Sequence, residues 1–220
     1  TLKNKLKELY EDIIFFSQRT QKVKLLAVTK AHPPQTIQEA SSLGIKCFGE
    51  NKVQEAEEKK EYFPNDSELH LIGHLQSNKI KRAIKIFNVI QTIDSYKLAE
   101  KINNKAKEIN KKQRIFCQIN IGEDPKKTGF SKEEAIKEIP RIIKLSNIKL
   151  EGIMTILPIE KNKEERKSLF NKTRKIKNEI SSVYKIKLEL SMGMSGDYKE
   201  AIECGSTQIR VGSKLFGKRK

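Results

Sequence analysis

At 220 residues and 36% hydrophobic content, the chain is long enough to bury one sizeable core and is expected to fold as a single domain spanning 1–220. No window of about twenty apolar residues occurs, and the opening Thr1-Leu-Lys-Asn-Lys-Leu lacks the apolar block of a secretion signal, which sets aside membrane insertion and export and points to a cytoplasmic protein. The net charge of +17 invites a nucleic-acid reading, but the lysines lie throughout the chain, interleaved with Glu and without a recognised binding module, so biased codon usage accounts for them and no specific nucleic-acid partner is expected.

A helical lead-in at about 2–19 opens the chain, followed by short apolar runs at 23–29, 45–49, 69–73, 88–93, 114–121, 148–156, 187–191 and 207–212. Amphipathic segments separate them. In 131–146, Ala135, Ile136, Ile139, Ile142, Ile143 and Leu145 recur at near-helical intervals, and Ser131 with Glu134 forms a capping-box signature. The charged segment 160–182 carries an apolar stripe of Leu169, Phe170, Ile176 and Ile180, and a further helix is expected from Asp197 to Ile202. Eight β-α units without an intervening Pro-, Gly- or Ser-rich linker predict an α/β fold of one closed (β/α)8 TIM barrel with an extra N-terminal helix.

Cys47, Cys117 and Cys204 are isolated from one another, as suits buried thiols in a reducing compartment. His32, His70 and His74 form no metal-ligand set with neighbouring carboxylates or thiols along the chain, so no metal is expected.

In such a barrel the functional residues lie just past the strand ends. Lys30 follows the first run, Gly49-Glu-Asn51 the second, and His74 with Gln76-Ser-Asn78 the third. Asp94 and Asn120 end the fourth and fifth. Near the C-terminus, Leu190-Ser-Met-Gly-Met-Ser-Gly196 and Gly205-Ser-Thr-Gln-Ile-Arg-Val-Gly-Ser213 supply two small Gly/Ser-rich turns whose N–H groups and hydroxyls suit a phosphate dianion. The start of the Asp197–Ile202 helix would lend its dipole there. Lys30, by itself, reads better as one surface lysine among many at a strand end. A strand-end lysine held in a partly desolvated barrel mouth has its pKa lowered from about 10.4 and becomes a nucleophilic amine. Together, an imine-forming amine, a phosphate cup and the single arginine between the turns, Arg210, match the requirements of pyridoxal 5'-phosphate. Met192 and Met194 are expected to pack beneath the turn. Gly193, Gly196, Gly205 and Gly212 mark unusual backbone angles or close approaches.

Ala27-Val-Thr-Lys30, Phe48-Gly-Glu-Asn-Lys-Val-Gln-Glu55, Leu71-Ile-Gly-His-Leu-Gln-Ser-Asn78, Gln118-Ile-Asn120, Gly152-Ile-Met154, Leu190-Ser-Met-Gly-Met-Ser195 and Ile209-Arg-Val-Gly-Ser213 occur in order across nearly the whole chain. In these segments the sequence resembles the pyridoxal phosphate homeostasis protein family (YggS/PROSC type), related to the barrel domain of alanine racemase and to pyridoxal phosphate fold type III. The resemblance implies that Lys30 forms the Schiff base. It further implies that Ser195, the backbone at Met194 and the Gly212-Ser213 turn hold the phosphate, that Arg210 faces the pyridine nitrogen, and that Asn51 lies near the ring or its hydroxyl. His74 is a weaker candidate, equally read as a packed or solvent-facing loop histidine.

A permanently charged arginine facing the ring nitrogen leaves that nitrogen unprotonated and the cofactor a weak electron sink. Fold-type III racemases and decarboxylases carry a second, β-rich domain, for which a chain ending at Lys220 leaves no room. The expectation is therefore a non-enzymatic monomer that stores, buffers or delivers pyridoxal phosphate, with cofactor-dependent apoenzymes as partners. The runner-up is an amino acid racemase or decarboxylase. Two departures from the family pattern stand out: Lys214 beside the phosphate turn, which offers a second amine, and the basic tail Lys218-Arg-Lys220.

Overall fold

The computed structural model describes residues 1–18 and 20–217, which leaves the basic tail Lys218–Lys220 outside the described residues. The chain runs α1 (Leu2–Phe16), β1 (Lys24–Val28), α2 (Gln35–Ser42), β2 (Cys47–Glu50), α3 (Val53–Glu58), β3 (Glu68–Leu71), α4 (Ile80–Ile86), β4 (Val89–Ile93), α5 (Tyr96–Glu108) and β5 (Gln113–Ile119). It continues through α6 (Lys132–Ile143), β6 (Ile148–Thr155), α7 (Lys163–Tyr184), β7 (Glu189–Met194), α8 (Tyr198–Glu203), β8 (Gln208–Val211) and α9 (Ser213–Phe216). Consecutive strands pair in parallel, and β8 returns to β1 with Leu26 opposite Arg210 and Ala27 opposite Val211, closing the barrel.

Local chemistry accounts for where the helices begin and which side they bury. α1 starts at Thr1, whose hydroxyl accepts from the Asn4 N–H, and buries Leu2, Leu6, Leu9 and Ile13 along one stripe. It packs on α8 and α9, where Asp12 accepts from the Tyr198 hydroxyl. Both α6 and α7 open with capping boxes, Ser131 with Glu134 and Asn162 with Glu165. α7 stops at Lys185, which takes the left-handed conformation at φ 52°.

The main apolar core fills the layer between the barrel and its helices, with Phe48, Phe87, Phe130 and Phe170 fully buried there. Inside the barrel the apolar content falls into two small clusters, one around Leu26 and Val28 and another around Phe116 and Met154. Buried polar side chains, His70, Gln91, Ser191, Gln208 and Arg210, share the interior with them.

One element differs from the sequence expectation. The seventh run, read as ending at 191 before a turn, continues as strand to Met194. Gly193 makes this continuation work. Its φ of 98° accompanies a shift of register against β8 between Ser191 and Met194, a bulge that redirects the strand end. A Cβ at Gly193 would also lie 2.7 Å from Ala201 Cβ, so α8 packs directly on its backbone.

Candidate functional site

The C-terminal ends of the strands surround a cavity of about 320 Å³, the lower end of small-molecule sites. Lys30 from the end of β1, Asn51 after β2, Met194 and Ser195 from β7, Arg210 on β8, and Gly212 with Ser213 after β8 all line it. Val28, Ile72 and Ile156 provide apolar walls, and none of these three stands out in the sequence as a site residue; Gly196, from the Gly/Ser-rich turn after β7, completes the rim. Alternation along β1 and β6 is the signal that gives the walls, because Val28 and Ile156 follow interior-facing Leu26 and Met154 by two residues.

Lys30 is half-buried. The backbone on either side of it is held by a buried ion cluster. The Lys59 ammonium donates to Thr29 O at 2.9 Å, Glu50 Oε1 at 3.1 Å and Glu55 Oε1 at 2.7 Å. Thr29 Oγ1 donates to Glu50 Oε1 at 2.7 Å, and the Ala31 N–H donates to Glu55 Oε1. Ala31 itself sits at φ 57°, so the chain reverses out of β1 immediately after the lysine. Burial pushes the Glu50 carboxyl up, with the Thr29 hydroxyl and Lys59 working against the shift. At Glu55 burial acts in the same sense, but Lys59 and the Ala31 N–H outweigh it and hold the carboxyl below its ordinary range. Residues 48–55 are visible in the sequence as a motif, but Lys59 reads there only as part of a solvated charge run.

Arg210 is 3% exposed. Its Nη1 donates to Ser191 Oγ at 2.8 Å and its Nη2 to Thr155 O at 2.7 Å. Burial brings its pKa down from 12.5 to about 10, the nearby Asp197 carboxylate opposing this, so the group remains cationic at neutral pH.

The turn after β7 departs from the expectation in detail. The Met194 N–H already donates to Asp197 Oδ1 at 2.6 Å, so the residue offers the cavity its lining and not a spare donor. Ser195 Oγ accepts from the Lys214 N–H at 3.3 Å, which ties the two turns together. Asp197, pushed up by burial, stands where α8 begins, and α8 has only six residues, so the expected dipole contribution is offset by a carboxyl at its own start. Arg166 from α7 reaches Gly196 O at 3.1 Å and brings a cation to this turn. Nothing in the spacing of the charged α7 segment marks it.

Other expectations are sorted by the same geometry. Met192 is fully buried in the outer core, whereas Met194 is half-buried at the cavity. Gly205 takes φ 93°, Gly212 places its backbone close to Val28 O, and Gly196 lies in open space at an ordinary angle. His74 does not line the cavity; it is exposed, with Nδ1 3.5 Å from Asp94 Oδ2. Asn120 closes its own loop by donating to Asp124 O and Lys127 O. Lys214 turns its ammonium away, 3.7 Å from Asp12 and over the Tyr198 ring.

The three cysteines are free and buried. The reading that no histidine joins thiols and carboxylates is corrected: Cys47, Glu68 and His70 bring their ligand atoms within 4.8 Å of one another. Cys47 is distant in sequence from Glu68 and His70 but adjacent in the sheet, because β2 and β3 pair with Cys47 opposite Glu68 and Gly49 opposite His70. Glu68 in this trio is already engaged by Arg114 at 2.6 Å and Lys24 at 3.3 Å. Burial pushes the Cys47 thiol up to about 12.

A single parallel barrel whose strand C-termini bring a lysine, a buried arginine and Gly/Ser turns to one cavity defines the class, that of the alanine racemase-type barrels. The profile of "Alanine racemase, N-terminal domain" matches residues 5–220. A pyridoxal phosphate homeostasis protein of Synechocystis sp. is 40% identical over 200 residues, covering 90% of this chain and 92% of that protein. The structure of PipY from Synechococcus elongatus PCC7942 without PLP superposes with a TM-score of 0.91 at 35% identity, covering 99% of this chain and 100% of PipY. PipY with PLP bound gives a TM-score of 0.88 over the same coverage. The chain belongs to the pyridoxal phosphate homeostasis protein family.

Proposed function

We propose that this protein binds pyridoxal 5'-phosphate covalently through Lys30 and takes part in holding and delivering it within the cell. The observation that carries the reading is the convergence of Lys30, Arg210 and the Ser195 and Gly212-Ser213 turns on one cavity. The cavity fits such a ligand: a cation and apolar walls lie beneath, small residues and backbone form the rim, and the Gly212 backbone packs where a Cβ would come within 3.1 Å of Val28 O. PipY, 35% identical to this chain, has a structure with PLP bound, which supports the same ligand here.

In this reading Lys30 Nζ is the point of attachment, with the Lys59 cluster fixing the backbone that carries it. Ser195 and the Gly212-Ser213 turn bind the phosphate, with Arg166 adding positive potential nearby. Asn51 orients the ring edge, and Arg210 donates toward the ring nitrogen while denying it a proton. When bound, the cofactor supplies an electrophilic aldehyde and an electron-withdrawing ring.

We take the protein to be a carrier without turnover of its own. Lys30 and Arg210 are the ionisable side chains lining the cavity, so among the described residues no second acid-base group is at hand there for moving a substrate proton. One chain supplies the attachment lysine, the phosphate turns and the arginine together, which supports a monomer serving cofactor-dependent apoenzymes. The test is absorption spectroscopy with added pyridoxal phosphate, then borohydride reduction and peptide mass mapping. A pyridoxyl group on Lys30, lost in Lys30→Ala with the fold intact, is expected; labelling elsewhere sinks the assignment. Racemisation of amino acids above the free-cofactor background would overturn the carrier reading, and sedimentation checks the monomer.

A further inference from the structure

We propose that the polar interior of the barrel is one oriented hydrogen-bond chain, Arg210 to Ser191 to Gln91 to His70 to Glu68, and that Ser191 and Gln91 are positioning residues that hold Arg210 toward the cofactor ring. The proposal rests on the assignment of Arg210 to the ring nitrogen.

The links are short through most of their course. Arg210 Nη1 lies 2.8 Å from Ser191 Oγ, Ser191 Oγ 2.7 Å from Gln91 Oε1, and Gln91 Nε2 2.7 Å from His70 Nδ1. His70 Nε2 ends the chain at a longer 3.5 Å from Glu68 Oε2, with Cys47 Sγ at the same distance as a weak second acceptor. Gln91 Nε2 gives its second hydrogen to Gln208 Oε1. Except for Glu68, which is half-buried near the far end of the barrel, every member is buried.

Chemistry at the two ends fixes the direction. A guanidinium has donors and no acceptor, so Ser191 Oγ accepts from it and turns its own hydrogen to Gln91. Gln91 must then present its carbonyl to Ser191 and its amide nitrogen to His70. His70 Nδ1 is therefore the unprotonated nitrogen, and Nε2 carries the hydrogen toward Glu68. At that end a carboxylate can only accept, and the opposite arrangement would set a histidine lone pair against it. Glu68 is held ionised by His70, Arg114 and Lys24. Burial keeps His70 neutral against the pull of Glu68. A donor-only cation at one end and an acceptor-only anion at the other leave a single consistent polarity, and aligned links of this kind strengthen one another in a low-dielectric interior.

The consequence for the site is orientation. The guanidinium is pinned by Ser191 on one nitrogen and by Thr155 O on the other, which leaves its remaining N–H groups to face the cavity. Without the chain, Arg210 loses the partner on Nη1 and is held through Nη2 by the Thr155 carbonyl.

The test uses the apo protein with nitrogen-15-labelled histidine, whose tautomers NMR separates. His70 is expected as the neutral Nε2–H form in the wild type; an Nδ1–H or charged His70 overturns the chain. Ser191→Ala should release Gln91 Oε1 and loosen the Gln91–His70 bond, shifting the His70 Nδ1 nitrogen-15 resonance while Glu68 keeps the Nε2–H tautomer, and Arg210→Met should do the same from the cavity end. An unchanged Nδ1 resonance in both overturns the coupling. With pyridoxal phosphate added, Ser191→Ala should weaken binding about five-fold, the size of one lost buried hydrogen bond, and shift the absorption band, with Ser191→Thr restoring both. Unchanged affinity and band overturn the positioning role. Ser206→Ala, which removes a buried hydroxyl bonded only to backbone carbonyls of β7 and β8, should move neither signal. If wild-type Lys30 takes up no cofactor, the functional assignment fails while the tautomer result still judges the chain; should Ser191→Ala not fold, the wild-type tautomer and Arg210→Met decide.

Discussion

A lysine becomes a candidate attachment point here through its neighbours and not through its own type. Lys30 is one of many lysines, yet its flanking residues Thr29 and Ala31 are bonded to a buried Lys59–Glu50–Glu55 cluster. Lys59 is 5% exposed, so removing its charge strands Glu50, whose side chain is fully buried. Lys59→Met is expected to cost about 3–5 kcal/mol of stability by denaturant unfolding. The same variant should slow or reduce labelling of Lys30. The penalty has a definite pH dependence. An acid whose folded pKa lies above its unfolded value binds more protons when folded, so it favours the folded state at low pH and loses that advantage as pH rises. Glu50 is already pushed up in the native protein, and loss of Lys59 raises it further, so the defect should be smaller at pH 5 than at pH 8. A defect that is constant across that range would show that the cluster is held by packing and not by charge.

Among elements, the β7–α8 and β8–α9 connections do the most for the cavity. Gly193 combines a left-handed φ with close packing under α8, so Gly193→Ala is expected to destabilise by about 1–3 kcal/mol and to weaken cofactor binding through the displaced Met194-Ser195 backbone. Gly44 takes φ 88° with nothing within 4 Å of the point where an alanine methyl would stand, so Gly44→Ala tests the backbone contribution alone and should cost about 1 kcal/mol with binding unchanged. Equal binding defects in the two variants would remove the turn from the site. Away from the cavity, Ser131→Ala removes the α6 capping box and should cost about 1 kcal/mol without altering the absorption band. The α6 capping box and the 3.6-residue stripes were legible in the chain because they depend on residues three or four apart. The length of β7 was not, because glycine at 193 reads as a turn and the partner strand that keeps it extended lies beyond α8.

At the scale of the whole molecule, the barrel has two chemically different ends. The strand C-termini hold the cationic cavity, and the strand N-termini hold an ion network in which Arg114 bonds Glu68 and Glu151 while Lys24 bonds Glu68. His70 lies between them, and its burial has a consequence for global stability. A base whose folded pKa lies below its unfolded value of 6.5 contributes in full above that pH and loses stability as pH falls below it, because the unfolded chain takes up a proton that the folded one refuses. Glu68, lowered from 4.5, adds a second loss that begins at more acidic pH. Unfolding free energy is therefore expected to fall from about pH 6.5 downward, and His70→Gln should flatten the segment between pH 5 and 6.5 while leaving the more acidic decline. A difference between wild type and His70→Gln that stays constant from pH 7 to pH 5 would place a charged His70 in the fold, whatever the opposing contributions of the raised Glu50 and Asp197 carboxyls.

The order of eight strands, their approximate bounds and the face that carries Lys30, Asn51, Ser195 and Arg210 were set by information local in sequence: apolar periodicity, glycine and serine placement, and short motifs in order. Closure of the barrel decided the rest. It paired β1 with β8, so that Lys30 and Arg210 line one cavity from strands at opposite ends of the chain. It set Cys47, Glu68 and His70 side by side, sank Lys59 beneath Lys30, turned Lys214 to Asp12, and threaded Ser191, Gln91 and His70 into one interior line. These contacts span up to the full length of the chain and depend on sheet register and on which side of each strand faces inward, quantities that are fixed only when every strand has found its neighbour.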